Sequence, residues 1–225
     1  MSADIDVSLW REHYLKQHGA NARIPWTAFL VKVAALMAKE VPEANRVLFK
    51  TFTGWRFLQF DYVTINVPVL IKIRGSYHLS AVTIKDADRR DIDEIAQEIR
   101  AAKSRTLDEL PVSKLIIGRR NSFWNRLRLR LIHAVVARSP RAYAKLGGGG
   151  LSVSSLLNHV GDQAQSRPYA FGATALTICA SSLEERDGKH WLKLGLGCDH
   201  LTGGGELAMR AVRMLQDCAA RVVNQ

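Results

Sequence analysis

Cysteine is scarce. The 225 residues hold three, Cys179, Cys198 and Cys218, an odd number without CxxC or metal-ligand spacing. That argues against a disulfide framework and fits free thiols in a reducing compartment. Long hydrophobic runs are also missing, and none approaches the roughly 18 residues of a membrane span. Asp4 and Asp6 interrupt the N-terminal stretch and no apolar h-region follows, so no secretory signal is expected. A cytoplasmic protein is the expectation. His13, His18, His78, His133, His159 and His190 lack ligand spacing, and no metal is expected. The glycine run Gly147–Gly150 lacks the Lys-Ser/Thr of a phosphate loop and reads as a hinge. No internal repeat and no second hydrophobic unit interrupts the chain, so residues 1–225 are read as a single domain.

Acidic residues are absent from one stretch. Between Arg119 and Lys145 lie Arg119, Arg120, Arg126, Arg128, Arg130, Arg138, Arg141 and Lys145, with no Asp or Glu. These are eight of the eleven net positive charges, leaving +3 for the rest of the chain. Such a local excess points to an anionic partner. On a helical plot Phe123, Trp124, Leu127, Leu131 and Val135 share one side, with Arg126 and Arg130 flanking it. Two readings stay open: a surface helix packing this stripe on its own domain, or a docking surface for an anionic membrane, an acidic carrier protein or coenzyme A phosphates. No nucleic-acid motif accompanies the charge, so DNA or RNA is not expected as a partner.

What is present alternates between helix and strand. Pro25 suits a helix start, and Trp26 to Lys39 is apolar almost throughout, which predicts a helix buried on most sides up to Pro42. Tyr62 to Ile73 is β-branched and apolar, hence a strand, with Pro68 marking an edge or bulge. Gly75-Ser76 is a turn and Tyr77 to Ile84 the antiparallel partner. Asp91 to Glu94 has capping-box spacing ahead of a stripe of Ile92, Ile95, Ile99 and Ala102. Leu151 to Leu156, Thr174 to Leu183 and His190 to Cys198 read as strands, the last two joined by a turn carrying Asp187-Gly188. A helix from about Glu206 to Val223 closes the chain, with Leu207, Ala211, Leu215 and Val222 on one face. Hairpins mixed with helices predict an α/β fold: a mixed, largely antiparallel sheet covered by helices.

Four stretches carry a resemblance. Gly197-Cys-Asp-His-Leu-Thr-Gly-Gly-Gly205, followed by a helix, resembles the Asp-His-x-x-x-Asp-Gly signature of chloramphenicol acetyltransferases and of the catalytic domain of 2-oxoacid dehydrogenase acyltransferases. Pro25 to Asn45, PWTAFLVKVAALMAKEVPEAN, is similar to that family's buried helix and its exit. Ile84 to Lys103, IKDADRRDIDEIAQEIRAAK, is similar to its RDAD turn and following helix, and Ser152 to Leu156, SVSSL, to its TISNLG strand. The stretches occur in the family's order and span most of the chain. The chain resembles a stand-alone form, without a lipoyl domain.

The resemblance implies a chloramphenicol acetyltransferase-like two-layer sandwich assembled as a homotrimer. It further implies active sites between subunits, a histidine from one subunit and a serine hydroxyl from the next, with coenzyme A reaching the histidine through the interface. By motif position these residues are His200 and Ser154. Asp199 falls where a family aspartate is structural. Gly204 replaces the family's carboxylate four residues after the histidine, a departure that bears on activity.

The chemistry agrees with those residue types. Acyl transfer from a thioester needs a base for the acceptor and a donor for the tetrahedral oxyanion. Imidazole titrates near neutrality and can take the proton, and a fixed hydroxyl can serve the oxyanion. Each residue also has a plainer reading, as a hydrogen-bonded histidine at a strand end and a backbone-satisfied serine. Cys198 and His200 share a face if the strand persists, which allows a Cys–His nucleophile pair, although a small buried thiol is the plainer reading. The expected function is an acyltransferase using a coenzyme A or carrier-protein thioester, with a small-molecule acceptor. The competing expectation is a catalytically silent trimeric scaffold that keeps the fold.

Overall fold

The computed structural model describes residues 1–51, 54–73, 75–105, 109, 123–136, 138–139, 142–143, 148–157 and 174–223. Six strands form the main sheet: β1 (Ser2–Asp6), β4 (Thr64–Ile73), β5 (Ser76–Lys85), β6 (Leu151–Ser155), β7 (Leu176–Arg186) and β8 (Lys189–Cys198). Their order is β1-β8-β7-β6-β4-β5. Pairing is antiparallel except on the two sides of β6, which runs parallel to both β4 and β7. A separate hairpin joins β2 (Arg46–Thr51) to β3 (Gly54–Gln59). The mixed, largely antiparallel sheet expected from the sequence is therefore present.

Helices α1 (Ser8–His18), α2 (Trp26–Glu40), α3 (Ile92–Lys103) and α5 (Gly204–Val222) pack around the sheet. A further helix, α4 (Phe123–Val136), precedes β6. The central α2 is apolar on nearly every side because it is surrounded: Phe29, Leu30, Val31, Val33, Ala34 and Ala35 are all fully buried. It contacts α3, α5, β4, β6 and β7. Ile65, Val67, Val69 and Ile71 of β4 and Leu151 and Val153 of β6 enter the same hydrophobic cluster, as the two-residue period of a strand requires. The stripes Ile95, Ile99, Ala102 and Leu207, Ala211, Leu215, Val222 are buried as expected. Asp91 is the N-cap of α3, yet its side chain makes no capping hydrogen bond. Pro68 lies within β4 beyond Asn66, where pairing with β6 has ended, so β4 is an edge on that side and tolerates the missing N–H. Asp187 and Gly188 turn β7 into β8 with positive φ angles of 53° and 69°, as a two-residue hairpin turn demands.

The described part of the glycine run lies in a crowded place. Gly147 lies outside the described residues, and Gly149 and Gly150 are buried. A Cβ on Gly150 would sit 2.5 Å from the carbonyl carbon of Asn45, and one on Gly149 would sit 2.9 Å from Oδ1 of Asn66. A Cβ on Gly148 would enter the Tyr143 ring. The Gly150 amide donates to Oγ1 of Thr64 (3.1 Å), and the Tyr143 hydroxyl donates to the Gly149 carbonyl (3.0 Å). Burial pushes the Tyr143 hydroxyl above its ordinary pKa, partly offset by Asn66. Asn45 is itself a hub: its Nδ2 donates to the Tyr62 carbonyl at 2.9 Å, and its Oδ1 accepts from Thr64. Glycine is needed here because backbone passes through a space that has no room for a side chain.

Gly150→Ala is therefore expected to destabilise the fold by roughly 3 kcal/mol, since the clash is with backbone and cannot be relieved by a rotamer. That lowers Tm on the order of 10 °C for a chain of this size. Gly205→Ala is the control, because a Cβ there meets nothing within 4 Å. Thermal melts of the two variants decide; equal, small effects would favour the hinge reading.

Candidate active site

The Asp-His stretch forms the turn between β8 and α5. Strand β8 ends at Cys198, Asp199 to Gly203 turn, and α5 starts at Gly204. Hydrogen bonds hold the turn from within. The Asp199 amide donates to the Ala175 carbonyl (3.1 Å), and its Oδ1 accepts from the Leu201 amide (2.8 Å). The Asp199 carbonyl accepts from the Thr202 amide (3.0 Å) and from Oγ1 of Thr202 (2.8 Å). Buried Thr202 thus locks the loop, a role the sequence reading missed. Its signal was local: a hydroxyl three residues after an aspartate at a strand end is a turn-forming pattern.

Two glycines shape the start of α5. A Cβ on Gly203 (φ 149°) would meet Cβ of Leu207 at 2.9 Å. Gly204 has φ 55°, in the left-handed region that favours glycine. A Cβ on Gly204 would lie 3.4 Å from Nδ1 of His200. The residue four positions after the histidine therefore does stand against the imidazole, but it brings no side chain.

His200 is exposed, and among the described residues its ring has no hydrogen-bond partner. The Nδ1 edge is the one turned toward α5, so Nε2 is the nitrogen farther from the helix start. Cys198 does not pair with His200; its thiol donates to the Gly204 carbonyl at 3.0 Å. That contact belongs to the plainer reading of the cysteine.

Ser154 is elsewhere. It sits on β6, on the face opposite Leu151 and Val153, half-buried, and its hydroxyl bonds to none of the described residues. In register it lies beside Cys179 of β7, which lies beside Gly195 of β8. At about 4.8 Å between strands and 3.3 Å per residue, Ser154 and Cys198 are about 14 Å apart, and His200 follows in the turn after Cys198. Within one chain Asp199, His200 and Gly204 come together and Ser154 does not join them.

A second polar centre holds the turn after β5. Lys32 of α2 is 7% exposed, and its Nζ donates to the carbonyls of Asp88 (2.9 Å) and Arg90 (2.8 Å). Burial pushes this ammonium below the ordinary lysine range, against the upward pull of Asp88, Asp91 and Glu94. A cavity of about 640 Å³ opens beside it, lined in part by Trp10, Tyr14, His18, Lys32 and Arg90. Neither His200 nor Ser154 lines it.

No protein-family model matches the sequence, and no curated protein matches it significantly. Solved structures do match in shape. A dihydrolipoamide acetyltransferase from Azotobacter vinelandii, studied for the roles of a serine, a histidine and an asparagine in its catalytic mechanism, is 19% identical with a TM-score of 0.65. The match covers 100% of this chain and 83% of that one. A truncated catalytic core of the 2-oxoacid dehydrogenase multienzyme complex from Thermoplasma acidophilum is 18% identical, with a TM-score of 0.63 over 98% of this chain and 85% of that one. A chloramphenicol acetyltransferase is 13% identical, with a TM-score of 0.54 over 97% of this chain and 86% of that one. From β1 to α5, the chain has the chloramphenicol acetyltransferase-like fold that is also found in the catalytic cores of 2-oxoacid dehydrogenase acyltransferases.

Proposed function

We propose that the protein is an acyltransferase that moves an acyl group from a coenzyme A or carrier-protein thioester to a small acceptor. It works as a homotrimer with active sites between subunits. The observation that carries this reading is the placement of His200: exposed on the β8–α5 turn, free of hydrogen bonds to the described residues, with Nδ1 facing the position four residues on. In the Azotobacter protein the asparagine also follows the histidine by four residues. The separation of Ser154 from His200 within one chain supports a site completed by a second copy.

In this mechanism Nε2 of His200 takes the acceptor's proton as the acceptor attacks the thioester carbonyl carbon. The oxyanion that forms accepts a hydrogen bond from Ser154 of the partner subunit. Collapse breaks the C–S bond, and the imidazolium returns the proton to the departing thiolate. No covalent acyl-enzyme is needed. For Nε2 to act as a base, Nδ1 must carry the ring's proton, and this is where Gly204 matters: it supplies no acceptor.

Gly204→Asp is expected to lower Tm by a few degrees, because a left-handed backbone costs a non-glycine residue roughly 1–2 kcal/mol. The new carboxylate would begin 3.4 Å from Nδ1 and can accept its proton, so kcat should rise several-fold. Gly204→Ala, with the strain but no carboxylate, should lose stability without that gain. A kcat that falls in both variants would mean that Nδ1 is served differently here.

The second reading, a catalytically silent scaffold, rests on the missing side chain at Gly204. Thiol release from a panel of acyl-CoA donors, with and without small alcohol and amine acceptors, separates the two. Acceptor-dependent release supports the enzyme; no turnover with any donor would leave the scaffold.

A further inference from the structure

Helix α4, Phe123–Val136, carries two opposed apolar faces. Leu129, Ile132 and Val136 are half-buried, whereas Phe123, Trp124, Leu127, Leu131 and Val135 are exposed. Trp124 is 74% exposed and Leu131 59%. The stripe read from the sequence is thus the exposed one. At 100° per residue, Trp124, Leu127, Leu131 and Val135 fall within an arc of about 80°. Arg126 and Arg130 lie on one flank of this arc and Arg128 on the other, all three exposed. No acidic residue occurs anywhere between positions 119 and 145. Arg119, Arg120, Arg141 and Lys145 lie outside the described residues. Arg138 donates to the Ala134 carbonyl (3.2 Å) in the last turn.

A contiguous exposed stripe of large apolar side chains marks a binding surface. The arginines say which one. We propose that α4 docks the protein on an anionic membrane surface, lying in the plane of the interface. Trp124, Leu127 and Leu131 enter the headgroup–acyl boundary while Arg126, Arg128 and Arg130 reach lipid phosphates on both sides. No helix among the described residues is long and apolar enough to cross a membrane, so the contact is superficial. A second copy of α4 is a poor occupant, because face-to-face helices would crowd arginines together with no carboxylate between them. An acidic protein would suit the arginines but would need its own apolar groove for a stripe more than three turns long. The proposal does not depend on the acyl-transfer reading.

The test is flotation with vesicles of phosphatidylcholine alone or mixed with phosphatidylglycerol, at low and physiological salt. Wild-type protein should float with the mixed vesicles only, and salt should weaken binding. Changing Arg126, Arg128 and Arg130 together to Ser should weaken partitioning about a hundredfold. Trp124→Ser with Leu131→Ser retains every charge and should weaken it at least about tenfold. These side chains are exposed, so far-ultraviolet circular dichroism and Tm should stay unchanged. The mixed vesicles should blue-shift the fluorescence of the wild type more than that of Trp124→Phe. Wild-type protein that fails to float at low salt overturns the proposal. Binding indifferent to the Trp124 and Leu131 changes overturns insertion. If Leu127→Ser with Leu131→Ser alters only the oligomeric state, without vesicle binding in the wild type, the stripe is a protein contact instead.

Discussion

His200→Ala is expected to lower kcat/KM for thioester cleavage by about 10²–10⁴-fold, the range by which a general base accelerates proton transfer. Stability should hardly change. The ring is exposed and bonds to none of the described residues, so its removal opens no cavity and strands no buried partner; such surface changes stay within about 0.5 kcal/mol. The neighbouring hydrogen bonds, Asp199 with Leu201 and Thr202 with the Asp199 carbonyl, run through backbone and through other side chains, and the turn should persist. Steady-state kinetics beside a thermal melt and a sedimentation profile is the measurement. A variant that keeps its Tm, its assembly and most of its activity would remove the base assignment. If Tm and activity collapse together, His200 holds the loop rather than the proton.

The second large effect follows from the distance between Ser154 and His200. Ser154→Ala alone is expected to reduce kcat about 10²–10³-fold with little change in KM, since an oxyanion donor strengthens its contact only in the transition state. Neither variant alone should retain much activity. Coexpressed, they should. If each site takes its histidine from one subunit and its serine from the next, random trimers of the two variants rebuild about a quarter of the sites with both groups intact. Mixed assemblies should then recover activity about a hundredfold above either parent. A mixture no more active than its parents would show that the two groups do not meet across subunits, even where each single variant is inactive.

Several elements were legible because local pattern was enough. The apolar run of α2, the stripes of α3 and α5, and the Asp187-Gly188 turn each follow from a period or a φ requirement that neighbouring residues impose. The Asp199–Gly205 turn was legible by motif, although its contacts were not. Strand β1 and helix α1 left no comparable signal. The strand has a polar pattern and acquires its conformation by pairing with β8. The helix is mostly polar, and its one buried residue, Trp10, stacks on Phe29 of α2, ring centroids 3.9 Å apart. The β2–β3 hairpin presents a largely exposed β3, so alternation could not betray it.

By itself the sequence determined the buried helix, the stripes of α3 and α5, the Asp-His motif and the charge of α4, because these depend on composition and short-range spacing. Tertiary structure decided the rest. It set Gly150 in close approach against Asn45, which a run of identical glycines does not disclose because only the neighbours decide it. It left the stripe of Trp124, Leu127, Leu131 and Val135 on α4 exposed, which a helical period by itself does not decide. It also placed Ser154 and Cys198, the last residue of β8, about 14 Å apart across β6, β7 and β8, because strand order and register are set by pairing between segments that are distant in the chain.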